Sequence, residues 1–236
     1  MALVQFKDLC IDTRDPSEAS RFWARVLALT AEALDDGDAV LRGSTPEHTI
    51  WVNRVPEPRT AKARVHLDVH AWSVAEMEAA GARVLPEWGS LPWTVMADPE
   101  GGEVCAFVRP EDWWTERKDP YRLYEVAVDA ADAPAIAAWW ADVLGTEAAD
   151  EDGVSAVAPP GAPFDAFVFA TVPEPKTVKN RIHWDVTGGA DAVDALVRRG
   201  AHVLRAPDAV VSWTVMADPE GNEFCVFGDE ALSEEP

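Results

Sequence analysis

The sequence predicts an α+β fold built as a tandem repeat, with one domain over residues 1–112 and a second over residues 118–228, each made of two βαβββ modules. Three observations predict it. Val55–His70 (VPEPRTAKARVHLDVH) returns as Val172–Thr187 (VPEPKTVKNRIHWDVT), identical at ten of sixteen positions at an offset of 117. Trp93–Gly101 returns unchanged as Trp213–Gly221. Within the first copy the order strand, helix, three short strands can be read twice from hydrophobic periodicity. A period this long marks a duplicated domain rather than a solenoid, and 236 residues at 48% apolar composition suffice for two ordinary cores.

The elements follow in order. Phe6 to Asp12 alternates as a strand. Asp15-Pro16-Ser17-Glu18 then supplies an N-cap, a proline at N1 and an acid at N3, as a helix start prefers. Ala19, Phe22, Trp23, Val26 and Leu27 follow at the spacing of one buried helix face. Ile136, Trp139, Trp140, Val143 and Leu144 repeat that face in the second copy, with Gly145 as a C-terminal stop. Short strands near 31–34, 39–42 and 49–55 complete the first module. The pattern restarts with a strand at 64–69, a helix over about 73–80, and strands near 83–86, 93–97 and 103–108. Asp98-Pro-Glu-Gly101 and Asp218-Pro-Glu-Gly221 read as turns before the last strand of each copy. The segment Arg109–Pro120, rich in charge and bracketed by prolines, reads as the linker.

Composition excludes several classes of partner. Lys and Arg number 20 against 42 Asp and Glu, a formal charge of −22, which repels phosphate backbones and anionic headgroups, so neither nucleic acid nor membrane is expected. No apolar run approaches the roughly 20 residues that a bilayer span needs, and Lys7 and Asp8 interrupt the place where a signal peptide carries its apolar core, so a cytoplasmic location is expected. The three cysteines, Cys10, Cys105 and Cys225, have no CxxC spacing and are expected as reduced thiols.

The chain resembles the vicinal oxygen chelate superfamily, the glyoxalase, bleomycin-resistance and dioxygenase type. The resemblance rests on Asp12-x-x-Asp15-Pro with Phe22-Trp23, on Lys62-x-Arg64-Val-His66-Leu-Asp68, and on Asp98-Pro-Glu-Gly-Gly-Glu-Val-Cys105, and it covers nearly the whole chain, twice. It implies glyoxalase-like domains, each a cup-shaped half-open barrel that holds a small molecule. The same architecture serves isomerases, ring-cleaving dioxygenases, transferases and drug-sequestering proteins, so it does not specify a reaction. In better-known members a metal sits on the cup-facing strands. Position by position, the resemblance carries the first-strand ligand to Asp8 and Glu125, the fifth-strand His to His66 and His183, and the last-strand Glu to Cys105 and Cys225. At the fourth-strand position, within 49–55 and 166–172, no carboxylate is present.

What the resemblance leaves is a carboxylate, an imidazole and a thiol per cup, grouped as Asp8, His66 and Cys105 in one and Glu125, His183 and Cys225 in the other. Such a trio could hold a divalent metal, Zn²⁺ or Fe²⁺, with open positions. Against it, loss of the last-strand Glu removes the carboxylate that defines the family's metal site, and a strand Cys is more often a small buried apolar residue. The expectation is therefore a protein with no cofactor and without glyoxalase I activity.

Alternation along the strands adds polar groups to the same faces. His66 shares a face with Asp68, Cys105 with Glu103, and Asp8 with Cys10 and Asp12; the second copy keeps Asp129, His183 with Asp185, and Glu223 with Cys225. His66 and His183, beside carboxylates, are candidate general bases. Lys62-x-Arg64 and Lys179-x-Arg181 either meet an anionic ligand or pair with nearby carboxylates. Of 11 tryptophans, Trp23, Trp139 and Trp140 read as core, whereas Trp51, Trp88, Trp93, Trp184 and Trp213 lie on or beside strands, where some could stack on a flat ligand. Asp68, Asp185, Glu103 and Glu223 complete the ligand-facing set. Two functions stay open: binding of a small aromatic or apolar metabolite, or a His-based or metal-dependent lyase, isomerase or oxygenase. The state could be monomer or homodimer.

Overall fold

The structure, a computed structural model, describes residues 2–86, 91–151 and 153–228, so Trp88 lies outside the described residues. The predicted order of elements is present. The first module is β1 (Val4–Thr13), α1 (Pro16–Leu27), β2 (Thr30–Ala33), β3 (Ala39–Arg42) and β4 (Ile50–Arg54). The second is β5 (Val65–Ala71), α2 (Val74–Ala80), β6 (Arg83–Val84), β7 (Thr94–Ala97) and β8 (Glu103–Val108). After α3 (Glu111–Glu116) the third runs β9 (Leu123–Ala130), α4 (Ala133–Leu144), β10 (Ala148–Glu151), β11 (Val154–Val157) and β12 (Ala166–Thr171). The fourth is β13 (Ile182–Gly188), α5 (Ala192–Arg198), β14 (His202–Arg205), β15 (Thr214–Ala217) and β16 (Glu223–Gly228).

Local chemistry sets the helix ends. The Asp15 carboxylate accepts from the Glu18 amide at 3.0 Å and Asp132 does the same for Ala135 at 3.1 Å, so both long helices begin on a side-chain cap. Gly145 ends α4 in the left-handed conformation, φ 67°, and a Cβ there would meet Ala2 N at 2.6 Å. The segment read as a linker contains a helix of its own, α3. Its two acids at the first turn, Glu111 and Asp112, suit the positive helix end and were the signal for it.

Strand pairing departs from the sequence expectation. Each half was expected to form its own cup, but each eight-stranded sheet takes four strands from each half. The first sheet has the order β14-β15-β16-β13-β1-β4-β3-β2, joining modules one and four. The second has the order β10-β11-β12-β9-β5-β8-β7-β6, joining modules two and three. The seams are antiparallel, β1 against β13 and β5 against β9. Repetition fixes that four modules exist; it does not specify which edge strands meet, because β5 and β13 present near-identical edges.

One face of each sheet packs with α1 and α4 into a single apolar core. Trp23, Trp140 and Trp184 are fully buried there, and Trp140 meets Trp184 at 5.0 Å and Phe224 at 5.1 Å, edge to face. Period-two alternation sends the neighbours of those strand residues to the opposite face, and the polar groups stand on that face. Trp139 is only half-buried, its indole donating to the Arg199 carbonyl at 2.8 Å. No described helix is long and apolar enough to cross a membrane.

Candidate functional site

Each sheet carries one polar cluster, straddling its seam. In the first sheet Asp8 pairs in register with Asp185 and Cys10 with His183, while Asp185 pairs with Cys225 on the far side of β13. Donor atoms of Cys10, His183 and Asp185 lie within 4.8 Å of one another. The Cys10 thiol donates to Asp185 Oδ2 at 3.4 Å. In the second sheet Asp68 pairs in register with Glu125 on one side and Cys105 on the other. There the donor atoms of His66, Asp68 and Cys105 fall within 4.8 Å, with His66 Nε2 at 3.3 Å from Asp68 Oδ1.

The expected trios are thus regrouped. Asp8 stands with His183 and Cys225, and Glu125 with His66 and Cys105, because the seams join β1 to β13 and β5 to β9. The residue types and faces are as read from the sequence; only the partner strand differs.

Burial dominates the electrostatics. It pushes the Cys10, Cys105 and Cys225 thiols up, with Asp185 or Asp68 adding to the effect, so all three are neutral near pH 7. Burial first, then the Asp8 carboxylate across the seam, raises Asp185 well above the usual carboxylate range. His183 is lowered by burial. In the second sheet burial and the Asp68 charge push Glu125 up to about 7, opposed by a hydrogen bond from Tyr124.

Several buried polar atoms have no hydrogen-bond partner among the described residues. In the first cluster these are Asp8 Oδ1, His183 Nδ1 and Asp185 Oδ1; in the second, His66 Nδ1 and Asp68 Oδ1. Such atoms cost about 1–3 kcal/mol each when left unsatisfied.

The two clusters differ in closure. Each seam strand has a bulge beside its acid, occupied by Lys7 in β1 and Tyr124 in β9. Lys7 Nζ lies 2.5 Å from Asp8 Oδ2, and the Trp51 indole donates to the same oxygen at 3.1 Å. Asp8 is 1% exposed. Glu125 is only half-buried. On β8, Phe107 shares the face of Cys105, and Trp93 stacks on it at 5.3 Å and 22°. Trp213 and Phe227 repeat this at 5.1 Å and 25°. All four rings are partly exposed.

Other expected ligand residues have structural partners. Trp184 is 0% exposed and belongs to the core, as its position between the cup-facing His183 and Asp185 requires. Glu103 accepts from Arg59 at 2.7 Å and the Ala63 amide at 3.0 Å; Glu223 accepts from Lys176 at 2.8 Å and the Asn180 amide at 3.1 Å. These acids pin the segments 55–64 and 172–181. Lys62 binds Asp129 at 2.5 Å and Lys179 binds Asp12, so both lysines meet carboxylates across the halves. Two cavities, of about 360 and 700 Å³, lie where those segments cross, away from the His and Cys clusters. The sequence reading did not single out Cys10, Phe107, Tyr124 or Phe227 as site residues; strand alternation places Cys10 and Phe107 there, whereas Tyr124 depends on the bulge.

The metal set implied by the superfamily can be tested on these donors. At the fourth-strand position Trp51 pairs with Cys10 and Val168 with Ala127, and the last strands present thiols. Among the described residues the donors grouped at these places are a thiol, an imidazole and one or two carboxylates.

A family model described as a glyoxalase-like domain matches residues 8–107 and 125–227. Among solved structures, glyoxalase I from Zea mays superposes with a TM-score of 0.68 at 12% identity, covering 98% of this chain and 94% of that one. A provisionally assigned dioxygenase from Bacillus subtilis superposes at 0.62 and 15% identity, covering 97% and 86%. At these identities the likeness shows the fold alone. A search of curated protein sequences finds no match.

Proposed function

The chain belongs to the glyoxalase-like domain family, and from that premise we propose that it binds a small molecule with a flat apolar body and a polar end, chiefly at the second-sheet cluster. The observation that carries this reading is the juxtaposition of His66 Nδ1, a buried nitrogen with no hydrogen-bond partner among the described residues, with the partly exposed Trp93–Phe107 stack on the same face. A polar end supplies the hydrogen bonds that the floor lacks, and a flat ring gains stacking and burial against the indole. The first-sheet cluster has the same parts, but Lys7 and Trp51 already occupy Asp8 Oδ2. The more open second cluster is therefore the better ligand site.

A second reading, proton transfer on the bound molecule, is favoured by Glu125. Its carboxyl is half-buried, faces Asp68 across the seam, and takes a hydrogen bond from Tyr124. In this role Glu125 accepts a proton from the ligand's polar end, Tyr124 holds its orientation, and His66, positioned by Asp68 at 3.3 Å, exchanges the proton at a neighbouring atom. Zn²⁺ or Fe²⁺ at His66, Asp68 and Cys105 would act as a Lewis acid if bound.

The test is a titration of intrinsic fluorescence with a series of planar phenols and aromatic carboxylates. Trp93→Ala is expected to weaken binding about 3- to 10-fold, the value of one aromatic contact of about 0.5–1.5 kcal/mol. Trp213→Ala should leave it nearly unchanged. Equal losses from both variants, or none, would overturn the assignment to the second sheet. Retained binding but lost turnover in Glu125→Gln would establish the proton-transfer role.

A further inference from the structure

The repeated motif Lys62-x-Arg64 and Lys179-x-Arg181 is only half explained by ion pairs. The two lysines meet Asp129 and Asp12. Among the described residues the arginines meet main-chain carbonyls instead: Arg64 Nη1 donates to Glu174 O and Arg181 Nη2 to Glu57 O, each reaching from one half to the crossing segment of the other. Arg64 Nε is buried with no hydrogen-bond partner among the described residues. On a chain with 42 acids against 20 bases, a guanidinium left beside carbonyls rather than a carboxylate calls for an acceptor of its own. The backbone holds both arginines in matched places. The Asp129 amide donates to the Arg64 carbonyl and the Asp12 amide to the Arg181 carbonyl, each at 2.7 Å, so the two residues extend the two seams.

Both arginines line the larger cavity, about 700 Å³, where segments 55–64 and 178–181 meet. Arg59, Lys62 and Lys179 line it as well, against two acids, Asp12 and Glu57. Asp12 is already engaged by Lys179. Val55, Pro58 and Val178 add apolar wall. We infer that this cavity is a further small-molecule site, taking an organic oxyanion, a phosphate monoester or a dicarboxylate on a short apolar body, held by Arg64 from one half and Arg181 from the other. A guanidinium keeps its charge throughout the working pH range, and its planar fork matches carboxylate and phosphate oxygens. The volume lies within the range of about 300–1,000 Å³ usual for small-molecule pockets. An oxyanion supplies the acceptor that Arg64 Nε lacks, and the apolar wall covers the carbon body. None of the donors grouped around His66 and His183 lines this cavity, so the inference stands or falls separately from the proposed function.

The full chain is titrated by calorimetry at fixed ionic strength with butyl phosphate, with glutarate and with uncharged butyramide. All three are aliphatic, so none stacks on Trp93. Saturable binding of one or both anions is expected, one molecule per chain and weaker as salt is raised, with no binding of butyramide. Tighter binding of butyl phosphate assigns the site to phosphate monoesters, and tighter binding of glutarate to dicarboxylates. Arg64→Gln and Arg181→Gln should each weaken binding about 10- to 100-fold, the effect of one hydrogen bond to a charged group. Trp93→Ala should leave it unchanged. No saturable binding of either anion to the wild type, equal binding of butyramide, full binding in both arginine variants, or loss through Trp93→Ala would overturn the inference. Arginines that only staple the two segments together would give the first of these results. Where a glutamine variant fails to fold by circular dichroism, Arg64→Lys and Arg181→Lys, which keep the charge and lose the fork, should still weaken binding, and the wild-type titration decides the matter without either.

Discussion

Glu223 separates a ligand-binding from a structural use of the polar face. Its side chain is 10% exposed, and it accepts from Lys176 Nζ at 2.8 Å and the buried Asn180 amide at 3.1 Å. Replacing it by Ala removes a charge-assisted bond worth about 1.5–3 kcal/mol and leaves the Asn180 N–H unsatisfied at a cost of about 1–3 kcal/mol. The two effects share partners and do not add fully. A loss of about 3 kcal/mol is expected, a fall in melting temperature of about 6–12 °C for a chain of this size. Glu223→Gln keeps an acceptor for both donors and loses only the charge, so about 1.5 kcal/mol is expected. Urea and thermal unfolding followed by circular dichroism measure both, and since the halves share their sheets one cooperative transition is expected. Glu223→Ala within about 0.5 kcal/mol of wild type, the range of an ordinary surface change, would refute the pinning role and return Glu223 to the ligand site.

His70 is 3% exposed, accepts from Arg109 Nε at 3.0 Å, and is pushed down to about 3 by burial and then by the Arg109 charge. The folded state therefore binds fewer protons than the unfolded one below pH 6.5. Its contribution is complete above that pH and falls by up to about 1.36 kcal/mol per pH unit as the pH drops toward 3; His70→Asn should flatten that part of a urea-midpoint profile, and an unchanged slope would count against it. Trp140→Ala should cost about 3–5 kcal/mol, whereas Trp140→Phe, which loses the 3.2 Å bond to Asp218, should cost about 1–3 kcal/mol, both read by urea denaturation. Refolded with Ni²⁺ or Zn²⁺, the protein should not isomerise the hemithioacetal of methylglyoxal and glutathione, because Trp51 and Val168 stand where a fourth-strand carboxylate is needed; measurable turnover would refute this.

Much of the molecule was legible because strand alternation and helix periodicity are local. Asp15 as a cap, Gly145 as a stop and the Trp23 and Trp140 faces need only neighbouring residues. The same alternation put His66 with Asp68 and Cys225 with Glu223. The grouping of the clusters was not legible, since it depends on whether β1 pairs with β5 or β13, and the repeat makes those edges alike. Glu103 and Glu223 are ambiguous in sequence because a carboxylate facing a cup looks the same whether it meets a ligand or a loop amide 40 or 43 residues away. Trp184 was legible and misassigned: flanked by two cup-facing residues, it had to face the core.

The repeat also shows how one scaffold acquires two different sites. A duplicated seam begins with equivalent positions, and four differences separate them here: Cys10 against Ala127, Trp51 against Val168, Asp8 against Glu125, and Lys7 against Tyr124 in the bulge. In the first sheet the larger or charged member fills space and meets Asp8 Oδ2, leaving sulfur donors packed and shielded. In the second, Ala127 and Val168 provide no such partners, so Glu125 remains half-buried with its proton held near neutrality. Closure and reactivity thus trade against each other at matched positions. Because the central strands of each cluster are hydrogen-bonded across the halves, β1 to β13 and β5 to β9, neither site can be loosened for ligand exchange without straining a seam that both halves share. A rigid, closed first site and an open second one are the arrangement that such interleaving favours.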